Sequence, residues 1–263
     1  KVALLLRQAQ SLCSSLISQE QRHDAAFMEA VRSTVMKLTI GGKGGKVLSL
    51  KEINDQINEL LKASIQSEGV ISLFDSKTVG EKFSLFDPNV LEEISKMKEK
   101  NIAEYLIYMW QVEDLIRAHQ GDAEQLAVRY AEEQRQAVHE WYDNLCNMMR
   151  TEGVMQQGHL QINKNVIQNL TELHGLLLAS TKYPFYNAAY FKALPFIVEL
   201  RQRGDQTISE IEVCFEALYG VLLLRLQQKE ISKDTAKAIE VISNFLSLLA
   251  NYYEKDKKGE CLK

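Results

Sequence analysis

Several residue groups in this 263-residue chain have types and spacings that could do chemistry. Glu113 and Asp114 are adjacent carboxylates placed shortly after Trp110 in an otherwise apolar helical pattern. Neighbouring positions on a helix point in different directions, so one of the pair can face inward. A buried carboxylate then needs a basic partner, and Arg117 is three to four residues away. A structural ion pair accounts for these residues better than acid–base catalysis. A second group is aromatic: Tyr183, Phe185, Tyr186, Tyr190, Phe191 and Phe196, with Lys192 and Arg201 beside them. Aromatics beside bases can stack on a nucleobase or hold a ligand. Helix packing with tyrosine hydroxyls at the edge explains the same residues and is the favoured reading.

Other motifs fail on spacing. GGKGGKV (41–47) lacks the four residues between Gly and Gly-Lys that a phosphate-binding loop requires, and Val47 stands where Ser or Thr would follow. Glu20-x-x-His23 is half of a carboxylate di-metal motif; the other histidines, His119, His139, His159 and His174, have no Glu three residues before them. His139-Glu140 is not followed by the second His of a zinc-protease motif. No catalytic residue, cofactor site or metal site is therefore assigned. The candidate binding surface is Tyr183, Phe185, Tyr186, Tyr190, Lys192 and Arg201, with Glu113 and Asp114.

The elements that must position these residues are helical. Ile102, Tyr105, Met109, Val112 and Ile116 recur at three- and four-residue spacings, and Leu106 and Leu115 widen the stripe. Asn101 followed by Glu104 has the form of a capping box, so a helix can start there. Alternatively, Pro88 starts one rod that runs through to Arg117. Upstream, Val2–Ile17 is amphipathic, Ser18 with Gln21 and Ser49 with Glu52 can cap two further helices, and 75–87 reads as a loop. Downstream, Asp122 with Gln125, Thr207 with Glu210, and Ser232 are expected caps. Gly153 and Gly158 bracket a loop. Pro184 starts a helix that Pro195 should kink or restart. The fold class is all-α, a short N-terminal helical segment joined through a long central helix to a C-terminal multi-helix bundle. The expected divisions are 1–74, a linker and helix start over 75–100, a helical domain over 101–258, and a tail over 259–263.

Composition limits the rest. Apolar residues make up 46% and charged residues 25% of the chain, and the net charge is −4, with no basic stripe for nucleic acid. The run Leu218–Leu224 is too short for a membrane span. Four scattered cysteines without a CxxC suit a reduced, cytoplasmic protein. The chain opens inside an apolar run, as a piece of a longer protein would.

Two resemblances meet near Lys100–Asn101. SLISQEQRHDAAFMEAVRSTVMKLT, LSLKEINDQINELLKASIQSEGVISLFD and FSLFDPNVLEEISKMKEKN resemble the C-terminal region of the restriction (R) subunit of type I restriction–modification enzymes over residues 1–100. That resemblance implies assembly onto methyltransferase–specificity subunits, with any nuclease or ATPase activity in domains upstream. KEKNIAEYLIYMWQVEDLIRA, MMRTEGVMQQGHLQINKNVI, YPFYNAAYFKALPFIVELR, and the run from CFEALYGVLLLRLQQKEIS to LLANYYEKDK resemble an all-helical bacterial domain of unknown function over 98–258. It implies a fold and no activity. Three functions follow as expectations. The first is a non-catalytic assembly protein of a restriction–modification system. The second is a homo-oligomeric or ligand-binding module with an incidental N-terminal fusion. The third is a small-molecule enzyme using the aromatic segment with Glu113, Asp114, His174 or Arg201.

Overall fold

A computed structural model describes residues 89–260. The N-terminal helices, the GGKGGK loop, the His23 motif, Pro88, Cys13 and Cys261 lie outside the described residues. Eight helices follow in order: α1 (Val90–Lys100), α2 (Ile102–Ala118), α3 (Ala123–Ala127), α4 (Glu132–Thr151), α5 (Gln161–Ala179), α6 (Pro184–Arg203), α7 (Glu210–Leu226) and α8 (Lys233–Lys257). The all-α expectation holds.

Of the two readings of the central stretch, the break at Asn101 is the one that forms. Asn101 leaves helical geometry (φ −152°, ψ 88°) and serves both neighbours. Its N–H donates to the Met97 carbonyl at 2.8 Å, closing α1, and its side chain accepts from the Glu104 N–H at 3.3 Å, opening α2. Val90 and Ile94 of α1 join the same core as α2, so the folded body begins before residue 101.

Two helices are buried on nearly every side. In α2 all residues from Tyr105 to Glu113 are buried, so the expected stripe closes into a full cylinder. In α8 the same holds over much of Val241–Tyr252. α8 packs against α2, α5, α6 and α7, and α2 packs against α1, α5 and α8. A helix apolar all round belongs at the centre of a bundle.

Local stereochemistry sets the turns. After α4, Gly153 N–H bonds the Arg150 carbonyl at 3.2 Å and Val154 N–H bonds the Met149 carbonyl at 2.9 Å, a Schellman ending. Gly121, at φ +75°, sits where a Cβ would come within 2.9 Å of the Arg150 guanidinium, which donates to the Gly121 carbonyl at 2.7 Å. Pro195 does not restart a helix: α6 runs continuously past it. Pro195 is on the exposed face, where water can serve the carbonyl that loses its partner. The expected cap of α7 shifts by two residues. Ser209, not Thr207, accepts the Glu212 N–H at 3.1 Å, while Thr207 turns back onto Asp205. Asp122 and Ser232 cap as expected.

The cap assignment is testable. Ser209→Ala is expected to lower unfolding free energy by about 1 kcal/mol, and Thr207→Ala by less than half of that, in urea denaturation. Equal losses would contradict the assignment.

Candidate functional site

The chemistry-bearing side chains gather in two places. The first is built on Glu113 of α2, which is 0% exposed. The N-cap of helix α5 is Leu160, which has no capping side chain, so the first N–H groups need acceptors from elsewhere. Glu113 provides one. Its Oε1 accepts the Leu160 N–H at 3.0 Å and the Asn163 amide at 2.7 Å. Its Oε2 meets His159 Nδ1 at 2.6 Å. A carboxylate only accepts, so Nδ1 carries the proton. Glu152, exposed at the end of α4, accepts the Gln161 N–H at 2.6 Å. Two carboxylates thus sit at the positive end of α5.

Asp114 and Arg117 extend this cluster. Arg117 donates to Asp114 Oδ1 at 2.7 Å and stands 3.9 Å from Glu113. It also donates to the carbonyls of Val154 and Gly158, clamping the α4–α5 loop onto α2. Tyr219 of α7 donates to Asp114 Oδ2 at 2.6 Å. Burial, reinforced by that bond to a carboxylate, pushes the Tyr219 phenol well above its ordinary range. Trp110 stacks on His159 with ring centres 4.0 Å apart and planes at 12°, and meets Tyr219 and Phe215 edge-on. The buried Trp110 N–H, a donor that ordinarily finds a partner in an interior, has none among the described residues.

The second place lies between α5, α6 and α8, with the start of α7 at its edge. His174 Nδ1 bonds the Tyr186 hydroxyl at 2.7 Å, and both rings pack on Phe245. Tyr183 and Tyr186 meet Tyr252 edge-on. Tyr190 donates to Glu210 at 2.8 Å, and Arg201 approaches the other Glu210 oxygen at 3.5 Å. Burial first, then the Glu210 bond, pushes Tyr190 up to about 12. Burial holds the His174 imidazole below its ordinary value, against the pull of Glu210.

The eight candidate residues therefore divide. Tyr183, Tyr186, Tyr190 and Arg201 come together around His174 and Glu210. Phe185 is buried and Lys192 stands on the exposed face of α6. Glu113 and Asp114 belong to the other cluster. His174 lies eleven residues beyond Asn163 on α5, about 16 Å along its axis at 1.5 Å per residue, so the two clusters do not share a pocket. His159, Asn163 and Tyr219 complete the first cluster, and spacing did not single them out. Glu113 and His159 are 46 positions apart, and no local signal in the sequence pairs them.

Chemically, a carboxylate–imidazole pair can orient a general base. Here Glu113 also spends its second oxygen on a helix end, and Trp110 covers one face of the ring. Cys146 and Cys214 are free and buried, and burial pushes both thiols up, away from the reactive thiolate. An open cleft of about 260 Å³ near the α6–α7 connection is lined by Leu200, Ile208, Val213 and Glu216 among others. Neither cluster opens into it. Among the described residues, no three His, Cys, Asp or Glu side chains group as a metal would need, and no helix is long and apolar enough to cross a membrane.

Two measurements check these clusters. Glu113→Ala strands three donors in the interior and is expected to cost about 3–5 kcal/mol in chemical denaturation, against about 1 kcal/mol or less for the exposed Glu152→Ala. A loss at Glu113 no larger than at Glu152 would contradict the cap. For His174, the unfolded chain takes up a proton near pH 6.5, whereas the fold holds the ring neutral to lower pH. Stability should fall as pH drops below about 6.5, and His174→Asn should flatten that slope relative to wild type.

Comparison with curated proteins and with solved structures yields no match. A family model described as "Domain of unknown function (DUF4924)" matches residues 93–260. The match starts slightly before the expected Lys98, inside α1, whose Val90 and Ile94 pack in the common core. Covering well over half of the chain, it places the protein in the DUF4924 family.

Proposed function

We propose that this chain is a non-catalytic helical interaction protein. Residues 89–260 would form a rigid bundle, and residues 1–100 would be the segment that assembles onto a methyltransferase–specificity complex. The observation that carries the non-catalytic reading is the use made of Glu113. It is the one fully buried carboxylate among the described residues, and both its oxygens hold structural donors. Two of its three donors are the N-cap N–H and the first-turn Asn163 of α5, and Trp110 stacks on the ring of the third, His159, which supports a structural use of the carboxylate. The partner class rests on the resemblance of residues 1–100 to the restriction-subunit tail. The two free, buried thiols support a reducing, cytoplasmic setting.

The test is retention of the tagged full chain by a methyltransferase–specificity complex from the same genome, beside a chain lacking residues 1–88. Retention of the full chain alone is the expected result. If the full chain is not retained, the restriction-assembly reading falls, and the search for a partner moves to the bundle.

A further inference from the structure

The connection between α6 and α7 builds the one feature of the bundle that neither cluster uses, the cleft of about 260 Å³. α6 ends at Arg203, and the Gly204 N–H closes it onto the Leu200 carbonyl at 3.0 Å. Asp205 then fixes a turn by accepting the Thr207 N–H at 2.8 Å and the Thr207 hydroxyl at 2.6 Å. Only at Ser209 does the chain re-enter a helix. Val213, Glu216 and Ala217 recur at i, i+3 and i+4, so one face of α7 forms one wall. Leu200 comes to the cleft from α6, and Ile208 comes from the connection.

The lining is aliphatic with negative charge beside it. Leu200, Ile208, Val213 and Ala217 supply apolar surface, and Asp205 and Glu216 supply two carboxylates. Arg203, the base in that lining, is held by Glu199 at 2.7 Å. Glu216 has no hydrogen bond and no ion pair among the described residues. Burial pushes its carboxyl above the ordinary range, Glu212 and Asp205 add to that push, and His159 opposes it. A cation beside Glu216 would meet an acceptor that the fold leaves unused, in a field that favours positive charge.

Size and ligand count narrow the class of cation. Pockets for drug-sized ligands run to about 300–1,000 Å³, so this cleft suits a smaller molecule. A metal ion needs more than the carboxylates of this lining, because no three His, Cys, Asp or Glu side chains group among the described residues. An ammonium head with a short aliphatic chain satisfies both walls at once: the head pairs with Glu216 and the chain covers Leu200, Ile208, Val213 and Ala217.

We propose that the cleft between α6 and α7 binds a small primary alkylamine as its ammonium, with Glu216 as the counter-ion. Asp205 contributes its field while staying bonded to Thr207. Binding involves no chemical step, uses no residue of the Glu113 cluster and is independent of the restriction-assembly reading.

The experiment is a titration of the full chain, methyl-labelled at Leu, Ile and Val, with n-hexylammonium, n-hexanol and hexanoate at fixed ionic strength, followed by methyl NMR. Hexylammonium is expected to shift the methyl signals of Leu200, Ile208 and Val213 saturably. It should bind about 5-fold or more tightly than hexanol, which keeps the chain and loses the charge, and hexanoate should leave those signals in place. Glu216 is exposed enough that Glu216→Gln should fold normally, with helical circular dichroism unchanged, and lose the preference for hexylammonium over hexanol. Glu140→Gln, at an exposed position on α4, should keep that preference. Added salt should weaken hexylammonium and not hexanol. The proposal is overturned if those three methyls show no saturable shift, if hexanol binds as tightly as hexylammonium, or if Glu216→Gln retains the preference.

Discussion

A carboxylate with no access to water must find its donors inside the protein, and the Glu113 site shows what that demand organises. Its oxygens collect the His159 ring, the Leu160 N–H and the Asn163 amide. Those three groups come from the end of the α4–α5 loop and the first turn of α5. The central helix α2 therefore specifies where α5 begins and how the loop closes. Arg117 completes the arrangement from the same helix by holding two carbonyls of that loop while neutralising Asp114. Desolvating Glu113 is costly, and three donors with a nearby guanidinium offset that cost. The return is register. A purely apolar contact would let α5 slide by a residue, whereas a bonded helix end does not.

The His174 network plays the corresponding part at the far end of α5. A buried imidazole, three tyrosines and Phe245 fill the space between α5, α6 and α8 with rings that meet edge-on. Their polar atoms are paired where they are deep, as in His174 to Tyr186. They run out to a charged pair where they near the surface, as in Tyr190 to Glu210 with Arg201. This is an amphipathic aromatic core, with the hydroxyls carrying the interior out to solvent. It explains why the segment 183–201 looks like a ligand-binding surface in the sequence: the same residue types serve both purposes. α6 bears this core on one side and the exposed Phe191 and Val198 on the other.

The helical class was determined by the sequence. So were the caps at Asn101, Asp122 and Ser232, because each rests on residues three apart, and local spacing decides local hydrogen bonds. The membership of Ile102, Met109, Val112, Phe245 and Leu249 in the core was legible for the same reason. So was the inward turn of one carboxylate of the Glu113–Asp114 pair, with Arg117 beside it. Local rules also misled in places. Thr207 fits the capping pattern but is drawn to Asp205, so Ser209 takes the role. Pro195 breaks no helix, because the face it disturbs is the one that water reaches.

Tertiary structure alone decided which distant groups meet. Glu113 and His159 are 46 residues apart, and Asp114 and Tyr219 are 105 apart. No periodicity links such positions, since a bond between them forms only after α2, α5 and α7 have packed. Burial of α2 and α8 on nearly every side was likewise a property of the bundle. A helix cannot show from its own pattern that neighbours will enclose it. The separation of Glu113 and Asp114 from Tyr183, Tyr186, Tyr190 and Arg201 follows from the length of α5, which holds the clusters apart while fixing both in one body.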